Sequence, residues 1–192
     1  MKRLTTPLPA LAMAVLCGLV PETAMAHPGH VAAGFAAGLL HPLMGADHLA
    51  AMLLVGLGAA IFVKRGGWML PATFLATLAL GFATCTWLPD IVAEGGILVS
   101  LVTLGLAAAL RIDAPAPLAM LAIGAFGYAH GASHGIETPQ GAIPVFFAAG
   151  FLATSAVLHL GGYALSRVLP VPALRLIGAG GAGLGLVLAG LS

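Results

Sequence analysis

His41-Pro42-Leu43-Met44-Gly45-Ala46-Asp47-His48 opens an apolar run, Leu49-Ala50-Ala51-Met52-Leu53-Leu54-Val55-Gly56-Leu57-Gly58-Ala59-Ala60-Ile61-Phe62-Val63, that ends at Lys64-Arg65. Between residues 31 and 63 the one charged side chain is Asp47. A bilayer core of ~30 Å takes about 20 apolar residues as a helix. At ~1.5 Å per residue, residues 31–63 as one helix would run about 50 Å, too long for an upright span. Proline is welcome at a first helical position and pushes the residue before it out of helical geometry. The span is therefore expected to start at Pro42, with His41 at its mouth. Residues 31–40 then form a short half-helix, re-entrant or lying at the interface.

The rest of the chain repeats this reading. Sixty per cent of its 192 residues are hydrophobic and seven per cent are charged. Its mean hydropathy is +1.10. These values exclude an ordinary soluble domain. The expected fold is all-α, a polytopic membrane helical bundle. Six apolar runs, roughly 42–63, 68–88, 95–110, 117–135, 143–165 and 172–191, predict six transmembrane helices. Breakers separate them, among them Gly66-Gly67, Pro89, Pro115, Pro139, Gly141 and Pro170. A formal charge of +1 with no basic run argues against nucleic acid as a partner.

The N-terminal stretch reads as a signal peptide. Lys2 and Arg3 form a positive n-region, Leu8 to Val20 an apolar core, and Ala24-Met25-Ala26 a cleavage site. Residues 1–26 are expected to be removed, leaving one membrane domain over residues 27–192. An uncleaved signal anchor is the rival reading. Cys85 is then the single remaining thiol and reads as a small buried hydrophobe.

Charge orients the spans. Lys64, Arg65, Arg111, Arg167 and Arg175 all fall in or beside alternate links, while Asp90, Glu94 and Glu137 occupy the others. The positive-inside rule makes the basic links cytoplasmic and both mature termini external.

Ionisable groups inside such segments are rare and usually functional. His41, Met44, His48 and Met52 are spaced to line one face of a continuous helix, with Asp47 at its edge. Near the end of the fourth span, His130 and His134 are an i, i+4 pair, and Glu137 lies just beyond. Both groups fall in the outer half of their spans. Imidazole with one or two carboxylates suits Ni2+, Co2+ or Zn2+ better than Mg2+. Met44 and Met52 read as core. Gly127, Gly131 and Gly135 beside the histidines offer a close approach, either to the first span or as general core packing. His159 on the fifth span is either a second station or a neutral hydrogen-bonding residue. His27 and His30 at the mature terminus either capture metal or form a short frayed end.

No G-x-x-x-x-G-K-[ST] phosphate loop is present, so no nucleotide is hydrolysed by this chain alone. No prosthetic cofactor is expected; a transition-metal ion is the expected substrate. The rival class is an intramembrane zinc-dependent hydrolase, in which histidines, Asp47 and Ser133 hold Zn2+ and activate water.

His41-Pro-Leu-Met-Gly-Ala-Asp47-His48-Leu-Ala-Ala-Met52 resembles the first signature of the HupE/UreJ proteins, and Phe126-Gly-Tyr-Ala-His130-Gly-Ala-Ser-His134-Gly-Ile-Glu137 the second. The resemblance spans the chain, from signal peptide to His159. It implies a nickel or cobalt permease of the inner membrane serving hydrogenase or urease maturation. It also implies that His41, Asp47, His48, His130 and Glu137 carry the metal, with His134 completing the second signature.

Overall fold

The computed structural model describes residues 30–191. The signal-peptide reading and His27 lie outside the described residues, as does the side chain of His30. The described chain is all-α: α1 (His30–Met44), α2 (Ala46–Ile61), α3 (Met69–Ala83), a 3-10 turn (Cys85–Trp87), α4 (Asp90–Leu110), α5 (Ala116–Ile136), α6 (Pro144–Val168) and α7 (Val171–Ala189). Pro117, Pro144 and Pro172 sit at the first or second position of α5, α6 and α7. There a missing N–H costs nothing, because those donors have no partner within the helix.

Exposed apolar side chains ring the molecule, among them Leu121, Val157, Leu160, Leu176 and Leu186. That surface, on an all-helical chain, is the surface of a multi-pass membrane bundle. Helices α4, α6 and α7 are each long and apolar enough to cross a bilayer, and α1 and α2 qualify together as a bent pair. Helix α3 is apolar but has only 15 residues, about 22 Å of rise. Helix α5 has 21 residues, but glycines, Ser133 and two histidines dilute its apolarity. Three or four of the described segments thus meet the spanning criteria, against six runs read from the sequence.

The first break does not fall where proline placed it. Pro42 lies inside α1. The chain turns by 82° at Gly45 instead. Gly45 is extended (φ −95°, ψ 123°) and caps α2, and its carbonyl accepts the Leu49 N–H at 3.0 Å. A side chain there would meet Asp47 Oδ1 at 2.6 Å and His48 Nδ1 at 3.0 Å. Glycine at this corner leaves room for the pair that follows it. The bend also dissolves the expected single face: His41 and Met44 end one helix, His48 and Met52 begin another. Met44 is 56% exposed, whereas Met52 is wholly buried in the core.

Glycines seal the helix pairs. A Cβ on Gly131 would meet the Leu78 carbonyl, and one on Gly127 the Phe74 carbonyl, so α5 lies directly on α3. The glycine row beside the histidines therefore approaches the second apolar run rather than the first. Gly105 and Gly178 join α4 to α7; Gly38 and Gly150 join α1 to α6; Gly56 and Gly162 join α2 to α6. Without a hydrophobic drive between helices in lipid, such close backbone approach supplies the packing. Helix α2 runs through the middle, touching α1, α3, α4, α6 and α7. Cys85 is half-buried in the 3-10 turn against Gly135, rather than buried in a span.

The basic links gather at one end. The Ala114 N–H donates to the Phe62 carbonyl at 2.8 Å, and Lys64 pairs with Asp113 at 3.2 Å. Arg65 and Arg167 share a cavity with Lys64.

Candidate functional site

At the end away from those basic residues, three segments converge. The α1–α2 corner supplies His41, Asp47 and His48. Helix α5 supplies His130 and His134, one turn apart on one face, and Glu137 caps it. The imidazole rings form a chain. His41 lies 4.8 Å from His134, His134 lies 4.5 Å from His48, and His48 lies 5.6 Å from His130, centroid to centroid. The four histidines and two carboxylates singled out in the sequence are thus brought together, although they come from segments some 80 residues apart.

The chain of rings has an open end and a buried end. His41 and Glu137 are partly exposed, joined by His41 Nε2 to Glu137 Oε2 at 2.9 Å. Glu137 Oε2 also lies 3.7 Å from His134 Nδ1, too long for a hydrogen bond. Burial works to raise the Glu137 carboxyl, but the His134 and His41 imidazoles outweigh it and hold that carboxyl below the usual carboxylate range. One ligand atom each from His41, His134 and Glu137 lie within 4.8 Å of one another. Ligands ~2.1 Å from an ion sit about 3–4 Å apart, so a rotamer-scale adjustment would close this triad around a cation.

Deeper in, polar groups are aimed by their neighbours. Asp47 Oδ1 accepts from His48 twice, from its backbone N–H at 2.8 Å and from Nδ1 at 2.9 Å. His48 Nε2 is thereby left as the lone-pair nitrogen. His130 Nδ1 donates to the Phe126 carbonyl at 2.8 Å, which leaves its Nε2 free in the same way. A carboxylate or carbonyl on one ring nitrogen is the usual means of presenting the other to a metal. His48 Nε2, His130 Nε2 and both nitrogens of His134 find no hydrogen-bond partner among the described residues. His130 and His134 are fully buried. Buried polar atoms without partners are costly and uncommon; a ligand is the natural remedy. Asp47 therefore acts on His48, a role the sequence did not distinguish from direct ligation.

A backbone feature reinforces the preference for positive charge. His41 lies in the last turn of α1, where the helix dipole favours a cation. Phe147 and Phe151 of α6 pack on His41 and His134, at 5.2 and 4.9 Å, and wall the site on its apolar side.

One residue was missed in the sequence. Glu94 was read as part of a link, but α4 begins at Asp90, so Glu94 stands one turn inside a helix. Its Oε1 accepts from Ser133 Oγ at 2.8 Å. Ser133 is fully buried between the two α5 histidines. A carboxylate four residues after a Pro-Asp helix start was the available signal. His159 stands apart from the cluster: Phe74 lies between it and His130, with its ring 5.2 Å from each.

The family model described as HupE / UreJ protein matches residues 14–191. Protein HupE of Rhizobium leguminosarum bv. viciae is 35% identical over 170 residues, which cover 86% of this chain and 84% of that protein. No solved structure matches significantly.

Proposed function

We propose a function from the premise that this chain belongs to the HupE/UreJ family. It is a secondary permease or facilitator that carries Ni2+ or Co2+ inward across the bacterial inner membrane, for the maturation of a hydrogenase or urease. The chain crosses the membrane six times, with both mature termini periplasmic and the basic links in the cytoplasm. The observation that carries the reading is the convergence of four imidazoles, three of them with buried unpartnered nitrogens, on two carboxylates from a bent helix pair and α5. Nitrogen and carboxylate oxygen without a thiolate fit a borderline divalent ion.

The steps follow the exposure gradient. Glu137 and His41, at the rim, capture the hydrated cation. His134 bridges the rim and the interior, and exchanges one partner for the next as the ion descends to His48 and His130. Graded sites of this kind hold an ion well enough to admit it and loosely enough to release it. Protons compete for the same nitrogens, so acid opposes loading. The hydrolase reading loses one of the groups it assigned to zinc, because the Ser133 hydroxyl is engaged by Glu94.

The test is uptake of radiolabelled Ni2+ and Co2+ by cells with and without the chain, and with His48→Ala or His130→Ala. Saturable uptake that requires the chain, and is lost in both variants at normal abundance, supports the reading. Uptake indifferent to the chain overturns it.

A further inference from the structure

Helix α6 carries a stripe at four-residue spacing, Phe147, Phe151, Ser155 and His159, along one face. Its first two members pack on His41 and His134, so the stripe runs inward beside the histidine cluster. Its last two members are polar and buried: Ser155 is 0% exposed and His159 is 2% exposed. Ser155 Oγ and both ring nitrogens of His159 find no hydrogen-bond partner among the described residues. A helical serine in an apolar setting ordinarily bonds back to its own helix, as Ser100 does to Ile97 here. Ser155 does not. Two adjacent unpartnered groups on one buried face are a cost that packing alone does not explain.

Position adds a second argument. His159 lines a cavity of about 640 Å³ that opens among Lys64, Arg65, Trp68, Tyr163 and Arg167. That is the basic end of the molecule, opposite the rim formed by His41 and Glu137. On its other side His159 meets the Phe74 ring, across which lies His130. The backbone at His159 is fixed, because Gly56 of α2 packs directly against its carbonyl.

We propose that His159, with the Ser155 hydroxyl one turn outward, is a second and inner station for the transported cation, reached from the outer cluster past the Phe74 ring and emptied into the basic cavity. This rests on the transport reading above. One imidazole, one hydroxyl and cavity water make a weaker site than the outer cluster. The basic rim further opposes a lasting hold on a cation. Both features suit a station that passes an ion onward.

The experiment compares His159→Gln, Ser155→Ala and His41→Ala in two assays: radiolabelled Ni2+ uptake in cells, and Ni2+ binding to the purified full chain by equilibrium dialysis. His159→Gln should lower uptake at least about tenfold while the outer site keeps its affinity within about threefold, since only the inner ligand is lost. Ser155→Ala should lower uptake about two- to fivefold, as a neutral oxygen is a weaker ligand than imidazole. His41→Ala should lose both uptake and tight binding. In the unmodified chain, Ni2+ should slow carbethoxylation of His159 by diethyl pyrocarbonate, read by peptide mass spectrometry, which does not depend on a variant folding. Wild-type uptake by His159→Gln, or a His159 modification rate indifferent to Ni2+ while that of His48 slows, overturns the inner station and leaves the outer site standing. Uptake no greater with the chain than without it overturns the transport reading itself.

Discussion

Asp47→Asn separates aiming a ligand from being one. In the structure Asp47 Oδ1 accepts two hydrogen bonds from His48, at 2.8 and 2.9 Å, and His48 Nε2 is left without a partner. Asparagine keeps an acceptor oxygen of the same reach, so His48 keeps its orientation. What is lost is the charge. Hydrogen bonds to an ionised acceptor are worth roughly 1.5–3 kcal/mol net, against about 1 for a neutral one. A cation on Nε2 would also lie about 7 Å from the carboxylate across the ring, at a bond length of ~2.1 Å. The Coulomb share at that distance is moderated by the partial exposure of Asp47. Together these terms predict a 10- to 100-fold weaker site, about 1.4–2.8 kcal/mol. Asp47→Ala, which also frees the ring to turn, should be worse. Initial rates of Ni2+ uptake across a concentration series, with abundance measured by immunoblot, give the shift in half-saturation. If Asp47→Asn matches the unmodified chain while His48→Ala is inactive, His48 does not depend on that carboxylate and the argument fails.

Other consequences are checked as directly. Glu137→Gln should cut uptake at least about tenfold at low Ni2+ by removing the charged rim ligand, with partial recovery at high Ni2+; an unchanged concentration dependence would take Glu137 out of the entry. Met44→Leu should leave uptake within about twofold, since its side chain is largely exposed. Gly56→Val would drive a side chain into the His159 carbonyl and should lower the thermal midpoint or abundance of the purified chain, overpacking costing about 1–3 kcal/mol. Cysteines placed at Lys64 and Arg111 should resist an impermeant thiol reagent applied outside, and one at Asp90 should react; the reverse pattern would invert the proposed topology.

Much of the fold was legible because the solvent is hydrocarbon. In lipid a helix is the open choice for a segment that must satisfy its own backbone, so long apolar runs between breakers read as helices, with ends up to about five residues from those observed. Two features were not legible. Pro42 is the stronger local breaker by propensity, yet the chain bends at Gly45, because only glycine leaves room for the Asp47–His48 pair packed against that corner. The side toward which Gly127, Gly131 and Gly135 turn was equally hidden. Small residues permit close approach without naming a partner, and the partner, α3, contributes backbone carbonyls rather than any side-chain signature.

The site shows the same division from the opposite direction. Which side chains gather there was legible, since ionisable residues are so scarce in this chain that each one carries weight. Their mutual distances were not, and the bend explains why the outcome is tighter than the sequence suggested. On a straight helix His41 and His48 would lie about 10 Å apart along the axis, at ~1.5 Å per residue. The 82° turn at Gly45 folds them to 6.4 Å between ring centroids and lets both reach His134, at 4.8 and 4.5 Å. A straight helix would present one histidine to α5 at a time. The broken one surrounds His134 with two, and so sets the four rings in a row from the exposed rim to the buried Nε2 of His130.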